Sequence, residues 1–142
     1  MGTVVQGSVE AGGWTAGSNV PHIIELEGLP DGLATFWLKP DIYTRMEIMI
    51  ENANAFVIMP GGSGTMQELL ALLLLRAQND ELMQGSAIVI YNRPLPDGAG
   101  FWDSLVDLLK SHGQGDACEV VSDIDEIVPF LLPHFSSPCS VA

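Results

Sequence analysis

Glycines crowd the junction between an apolar run and a leucine-rich run near the middle of the chain. The run Phe56–Met59 is short and rich in strand formers, which is typical of a strand buried on both faces of a parallel sheet. It is followed by Pro60, Gly61, Gly62, Ser63, Gly64 and Thr65. Three glycines in four positions let the backbone take positive φ and bring its N–H groups close to a ligand, because no Cβ intervenes. The stretch predicts a strand, a phosphate-sized loop and a helix.

A helix that begins at this loop would add a second attraction for an anion. Thr65 fits its N-cap, and the first turn of a helix carries unpaired N–H groups and a partial positive charge. We therefore predict that residues 61–65 bind a nucleotide phosphate. The alternative is structural, because strand-to-helix turns use glycine and Thr65-x-x-Glu68 is also a capping box. The string is neither GxGxxG nor GxxxxGK(S/T), so those fingerprints do not decide between the two.

A carboxylate and a guanidinium complete the set of groups that could do chemistry. Hydrolysis of the N-glycosidic bond of a nucleoside monophosphate passes through an oxocarbenium-like cation, which a fixed carboxylate stabilises while it orients water onto C1′. Glu68 is the candidate, because a phosphate held at the helix N-terminus would place the ribose beside it. Arg45, on the preceding predicted helix, is the candidate for neutralising negative charge or holding the leaving base. Spacing alone favours the alternative role for Arg45, a solvated residue paired with Glu47 or Asp41.

These residues resemble the signatures of a known family. Residues 60–68 match the PGGxGTxxE motif of the LOG family, phosphoribohydrolases that activate cytokinins and are often labelled lysine decarboxylases. Arg45 stands where that family carries an arginine, and Met46 replaces the lysine that usually follows it. The resemblance runs from Met1 to about Phe135. It implies Arg45 and Glu68 as catalytic residues, free base and ribose 5-phosphate as products, and no metal or organic cofactor.

The chain also departs from the family, and this keeps other functions open. Relatives begin with a strand and a glycine-rich turn that these residues lack, which fits a shortened natural form, a misassigned start or a structure completed by another chain. One alternative is a nucleotide- or cofactor-binding protein without turnover. Another is an enzyme that cleaves ordinary purine or pyrimidine nucleotides. A pyridoxal-dependent lysine decarboxylase is disfavoured, because neither Lys39 nor Lys110 has a supporting site.

Charge and composition limit the partners and the location. Five Lys and Arg against eighteen Asp and Glu give a net charge of −13, which argues against a nucleic acid or an acidic membrane surface as partner. The hydrophobic fraction is 47%, yet no apolar run reaches the roughly 18 residues of a membrane span. We interpret the excess as an oligomer interface. Only two cysteines, Cys118 and Cys139, and no N-terminal signal segment favour a cytoplasmic protein.

Strands that alternate with helices predict one Rossmann-like α/β domain over residues 1–135, with a doubly wound parallel sheet and a tail over residues 136–142. The predicted strands are residues 22–26, 56–59, 86–91 and 118–121, with a strand or crossing loop at 33–38 and a loop at 92–98. The first predicted helix is residues 1–11, facing the core through Val4, Val5 and Val9. Asp41 opens the helix of Arg45.

Three more helices are predicted in the second half of the chain. The apolar run Leu69–Leu75 indicates a helix that must be covered all round, so we expect a homodimer or a higher oligomer. An amphipathic helix covers residues 101–109. Ser122 or Asp123 caps the last one, in which Pro129 predicts a kink or an early stop. His22, His112 and His134 are scattered and are expected to be surface residues.

Overall fold

The structure, a computed structural model, describes residues 2–135, apart from the side chain of Glu27. The chain divides into two compact units, Met1–Asn52 and Ala53–Ala142. Parallel strands and helices build both units. The predicted parallel α/β, Rossmann-like class is therefore confirmed, with the described strands arranged in one two-stranded and one three-stranded sheet. The predicted tail over residues 136–142 lies outside the described residues.

Within its described residues, the first unit contains a short parallel sheet and three helices. The strands pair with Ala16 opposite Thr35 and Asn19 opposite Leu38. The described elements are α1 (Gly2–Glu10), β1 (Ala16–Asn19), α2 (Pro21–Glu27), β2 (Thr35–Leu38) and α3 (Ile42–Glu51). Contacts between α3 and β1 place the helix that carries Arg45 on this sheet.

Two predictions for this unit are wrong. The run predicted as a strand at residues 22–26 is helix α2, because Pro21 takes its first position and Gly28 ends it with a φ of 73°. Helix α1 lies where the first helix was predicted, but Val4 and Val9 expose 67% and 47% of their surface instead of facing a core. Strand β1 has no apolar run that could signal it. A Cβ on its Gly17 would lie 2.9 Å from Leu33 Cδ1, so the end of the Leu33 side chain would have to move.

The second unit is a run of strand–helix–strand connections. Its parallel strands lie in the order β3, β4, β5, with Ile58 opposite Ile90 and Val89 opposite Glu119. The elements are β3 (Ala55–Ile58), α4 (Ser63–Ala77), β4 (Ala87–Tyr91), α5 (Asp103–Ser111), β5 (Glu119–Val121) and α6 (Ile127–Phe135). These strands confirm the three predicted near residues 56–59, 86–91 and 118–121. Of the helices in residues 2–135, none combines the length and apolar character needed to cross a membrane.

The central strand β4 is covered on both faces. Ala87 and Val89 pack with residues of β5 and α6, among them Val121 and Leu131, in one buried cluster. Because side chains alternate along a strand, Ile88 and Ile90 point to the opposite face, where they expose only 1% and 0% of their surface. The continuous apolar run therefore reflects burial on two sides, as expected for a central parallel strand.

A single arginine holds the amino ends of β4 and β5. The guanidinium of Arg76, in the last turn of α4, donates hydrogen bonds to the carbonyls of Ser86 and Ala117, which lie just before those strands. A cleft of about 430 Å³ opens beside it, lined in part by Cys118 and by Phe130 of α6. Burial raises the pKa of the Cys118 thiol, and the charge of Arg76 acts in the opposite direction.

The last helix continues through Pro129 to Phe135, so the predicted early stop is wrong. The side chain of Asp123 accepts a hydrogen bond of 3.0 Å from the Asp125 amide and caps a short 3-10 turn, Ile124–Glu126, which leads into α6. Pro129 is the third residue of α6, where its missing N–H costs no intrahelical hydrogen bond.

Candidate functional site

The glycine turn lies at the carboxyl end of β3, where doubly wound sheets place their ligands. The strand ends at Ile58, and Gly62 occupies the N-cap of α4 with φ −98° and ψ −151°. The amide of Met66 donates to the Gly62 carbonyl over 3.1 Å, which closes the first turn of the helix. The predicted order of strand, loop and helix is confirmed.

The details of this turn differ from the prediction in two ways. Thr65 is not the N-cap but the third residue of α4, and therefore Thr65-x-x-Glu68 is not a capping box. The three glycines also have no need of positive φ, because the positive-φ glycines among residues 2–135 all lie elsewhere in the chain. Glycine at these positions must therefore be explained by what a side chain there would contact.

The three glycines differ in what an added side chain would contact. A Cβ on Gly61 would overlap the Thr65 hydroxyl and lie 2.9 Å from Thr65 Cβ, so the packing of the turn itself requires glycine there. A Cβ on Gly62 or on Gly64 would meet nothing within 4 Å. Both residues are exposed. Their backbone is thus open to solvent and accessible to a ligand.

The start of α4 offers hydrogen-bond donors to such a ligand. Because Gly62 has no side chain, it cannot cap the amides of Ser63, Gly64 and Thr65. Intrahelical bonds do not use these first-turn amides, and the helix dipole adds a partial positive charge at the same place. The turn can therefore bind a compact anion although the whole chain is strongly negative.

Glu68 lies on the same helix, four residues after Gly64 and thus on the same face. Its side chain is half-buried. Helical Cα–Cβ bonds tilt toward the N-terminus, which favours placing this carboxylate near the glycine turn. The structure thus brings together Glu68 and all the residues predicted to bind phosphate, Gly61 to Thr65, at one strand–helix junction.

Arg45 belongs to the first unit, on helix α3. Its Nε donates a 3.0 Å hydrogen bond to the Ser18 carbonyl of β1, and its side chain is half-buried. The start of α3 is fixed by Asp41, whose carboxylate accepts from the amides of Tyr43 and Thr44 at 2.8 and 2.9 Å. The hydrogen bond from the Thr44 amide is the main reason that the pKa of Asp41 lies below its usual range. Asp41 was predicted to open this helix with a carboxylate near its N-terminus, and the structure places it at the N-cap. Arg45 is anchored to the sheet by its hydrogen bond to Ser18.

A second ordered cluster follows β4, where the sequence indicated only a loop. Asn92 is buried, and its side chain donates to Asp103 Oδ1 over 2.7 Å and accepts from the Trp102 amide over 2.6 Å. The other oxygen of Asp103 accepts from the Gly100 amide over 2.7 Å. The hydrogen bond from Asn92 is the first cause that lowers the pKa of Asp103. An asparagine directly after a buried strand is the only sequence signal for this cluster.

The histidines and Cys118, which the sequence did not predict as ligands, are spread over the described part of the chain. Among residues 2–135, no three His, Cys, Asp or Glu side chains lie together in a way that could hold a metal ion. His22, His112 and His134 are exposed, as predicted. Cys118 is a free thiol, and Cys139 lies outside the described residues.

The family model described as "Possible lysine decarboxylase" matches residues 1–123. The chain belongs to this family, the LOG family. A protein of Mycobacterium tuberculosis is 36% identical over 70 residues, and one of Mycobacterium marinum is 33% identical over the same length. Both are named cytokinin riboside 5'-monophosphate phosphoribohydrolase. Each match covers 49% of this chain and only 37% of the relative. In this LOG family member, the PGGxGTxxE string forms the junction between β3 and α4.

Proposed function

We propose that this protein hydrolyses the N-glycosidic bond of a nucleoside 5'-monophosphate and releases free base and ribose 5-phosphate. The observation that carries the proposal is the β3–α4 junction, at which open glycine backbone, free first-turn amides and Glu68 share one helix end. Membership of the LOG family and the names of the two mycobacterial relatives support it. The proposed substrates are a cytokinin riboside monophosphate or an AMP-like nucleotide.

In the proposed mechanism the 5'-phosphate binds to the turn Gly61–Thr65 and places the ribose beside Glu68. Bond breaking at C1′ leaves the electron pair on the base nitrogen and positive charge on the ribosyl ring. The Glu68 carboxylate stabilises that charge and accepts a proton from the water that attacks C1′. The departing base takes up one proton from solvent, and Glu68 returns the proton of the attacking water to solvent, which restores the carboxylate. Arg45 neutralises negative charge or holds the leaving base, and the scheme requires no metal or organic cofactor.

We do not propose the lysine decarboxylation that the family description mentions. Pyridoxal chemistry requires a lysine that forms a Schiff base within a supporting site. The described residues include two lysines. Lys39 follows β2, and its backbone N–H donates to the Asn19 carbonyl over 2.9 Å. Lys110 is exposed on α5. Neither lies at the β3–α4 junction in sequence.

The wild-type test is incubation with a panel of nucleoside 5'-monophosphates and chromatography of the products. We expect release of free base together with an equal amount of ribose 5-phosphate. The rival function, a nucleotide carrier, is motivated by Met46 in place of the family's usual lysine. Saturable binding of a monophosphate without any base release would establish the carrier and refute the hydrolase.

We also propose that the protein is a homodimer or a higher oligomer. Leu69, Leu72 and Leu73 of α4 are buried within one chain, whereas Met66, Leu70 and Leu74 expose 38%, 49% and 56% of their surface. The exposed three recur every four residues, so they form one continuous apolar stripe. A second copy of α4 packed across a two-fold axis would bury it. A cytoplasmic location stays a prediction from the sequence.

Leu74→Glu should convert the oligomer to a folded monomer. The substitution places a charge on the exposed stripe and removes no core contact, so light scattering should show about half the mass or less, with unchanged far-UV circular dichroism. Leu73→Glu is the matched control, because Leu73 is only 2% exposed and a charge there should unfold the chain. A monomeric wild-type protein would contradict the proposed oligomer.

A further inference from the structure

The loop after β4 lies beside the glycine turn. Strands β3 and β4 are parallel neighbours with Ile58 opposite Ile90, so their carboxyl ends reach the same edge of the sheet. Adjacent strands are about 4.8 Å apart. Two residues beyond this pair, Pro60 leads into the turn and Asn92 leads into the loop of residues 93–101. A ligand anchored on the turn by one end can extend along this edge of the sheet toward the loop.

This loop is built as a fixed structure. Its neck is closed by an antiparallel bridge between Pro94 and Gly100 and by a 3.0 Å hydrogen bond from the Phe101 amide to the Arg93 carbonyl. At its base, the side-chain nitrogen and oxygen of Asn92 and both carboxylate oxygens of Asp103 form hydrogen bonds. A loop held at both places can present a surface without paying much ordering entropy on binding.

The neck of the loop has no room for a side chain at position 100. A Cβ on Gly100 would overlap the side chains of Asn92 and Asp103. The amide of Asn92 also donates to the Val121 carbonyl over 2.8 Å, which joins the start of the loop to β5. The position of the residues that follow, including Phe101, is therefore set by the sheet.

Phe101 is the aromatic residue of this loop, and its ring is partly exposed. Its ring meets Trp102 at 83° with centroids 4.8 Å apart, and the Arg93 guanidinium lies 5.9 Å from its centroid. Trp102 is 4% exposed, whereas Phe101 retains 37% exposure. An aromatic ring fixed by its neighbours and still partly open is the kind of platform on which planar bases stack, with an adjacent guanidinium adding to the attraction.

We propose that Phe101 is the platform for the base of the bound nucleotide and that the Asn92–Asp103 pair is the positioning element that holds it. The inference rests on the proposed function, because it assumes that the glycine turn anchors the phosphate of the same ligand. It assigns base recognition to the β4–α5 loop and phosphate recognition to the β3–α4 turn. Base and phosphate binding should therefore be separable by substitution.

The test compares AMP with ribose 5-phosphate, which has the same phosphate and sugar without the base. Dissociation constants are measured by calorimetry on the full chain carrying Glu68→Gln, so that AMP survives the titration. Adding Phe101→Ala should weaken AMP binding about tenfold and leave ribose 5-phosphate binding unchanged, since stacking on an aromatic side chain is lost only with the base. Phe101→Tyr retains the ring and should restore AMP binding. Asp103→Asn should reproduce the selective loss for AMP.

The outcomes separate this inference from the proposed hydrolysis. Equal weakening of both ligands, or unchanged AMP binding in Phe101→Ala, would overturn the platform even if the wild-type protein releases base. Wild-type protein that binds AMP and releases no base would overturn only the hydrolase, and the selective loss in Phe101→Ala would still support the platform. Failure to bind either ligand would overturn both. Circular dichroism checks that each variant is folded. Phe101→Ala should fold, because Phe101 is already 37% exposed in the wild type.

Discussion

Glu68→Gln should lower the rate of base release by about a hundredfold or more while leaving nucleotide binding within a few-fold of the wild type. Glutamine keeps the shape and length of the side chain but loses the charge that would stabilise the ribosyl cation and the basicity that would take a proton from water. The phosphate is held by the turn, so the loss should appear in kcat and not in KM. The measurement is steady-state release of adenine from AMP.

Glu81→Gln is the matched control, because it makes the same charge change at an exposed residue in the short 3-10 turn after α4. Its activity should equal that of the wild type. If Glu68→Gln retained wild-type turnover, Glu68 would be a helix residue without a chemical role, and the mechanism would need a different carboxylate.

The second large effect is expected on kcat/KM when the phosphate group of the substrate is removed or extended. A monophosphate should be cleaved about a hundredfold or more better than its nucleoside, because two or more charge-assisted hydrogen bonds from the turn position the ribose only when the phosphate is present. A triphosphate should also be poor, since the turn fits one compact group and the net charge of −13 opposes more. The measurement is kcat/KM for one base as nucleoside, monophosphate and triphosphate.

Gly62→Val should abolish this preference for the monophosphate. The open space around Gly62 means that the branched side chain clashes with nothing in the protein itself, so the folded state should survive. The side chain would instead occupy the place where the backbone meets the phosphate. Gly7→Val on α1, where the space is equally open, is the control. Equal kcat/KM for the three forms in the wild type would refute phosphate binding by the turn.

The sequence predicted the elements whose signal is local. The apolar run of β4 was identifiable because that strand is buried on both faces. The prediction that β3 is also buried on both faces is wrong, because Val57 exposes 39% of its surface. The position of Asp41 at the start of α3 follows from its own hydrogen-bonding chemistry. The glycine-rich junction was correctly placed between strand and helix. Its N-cap was predicted three residues late, because glycine at an N-cap has no side-chain signal and Thr65 has a strong one.

The failures arose where a local signal was ambiguous or where the structure depends on contacts distant in sequence. The run at residues 22–26 is apolar enough for either structure, and only Pro21 at the helix start and Gly28 at its end favour α2. The Asn92–Asp103 cluster joins residues 11 apart through side chains that each look like ordinary loop residues in the sequence. The separate requirement for glycine at position 61 likewise depends on where Thr65 packs.

The two hydrogen bonds of Arg76 have a consequence for how this protein could diversify. They fix the strands at the edge away from the glycine turn, through backbone carbonyls whose presence does not depend on the identity of Ser86 or Ala117. Substitutions and insertions in the β4–α5 loop can then accumulate without loosening the sheet. Ligand preference should thus be able to evolve faster than the scaffold, and directed evolution confined to residues 93–99 should change it at little cost in melting temperature.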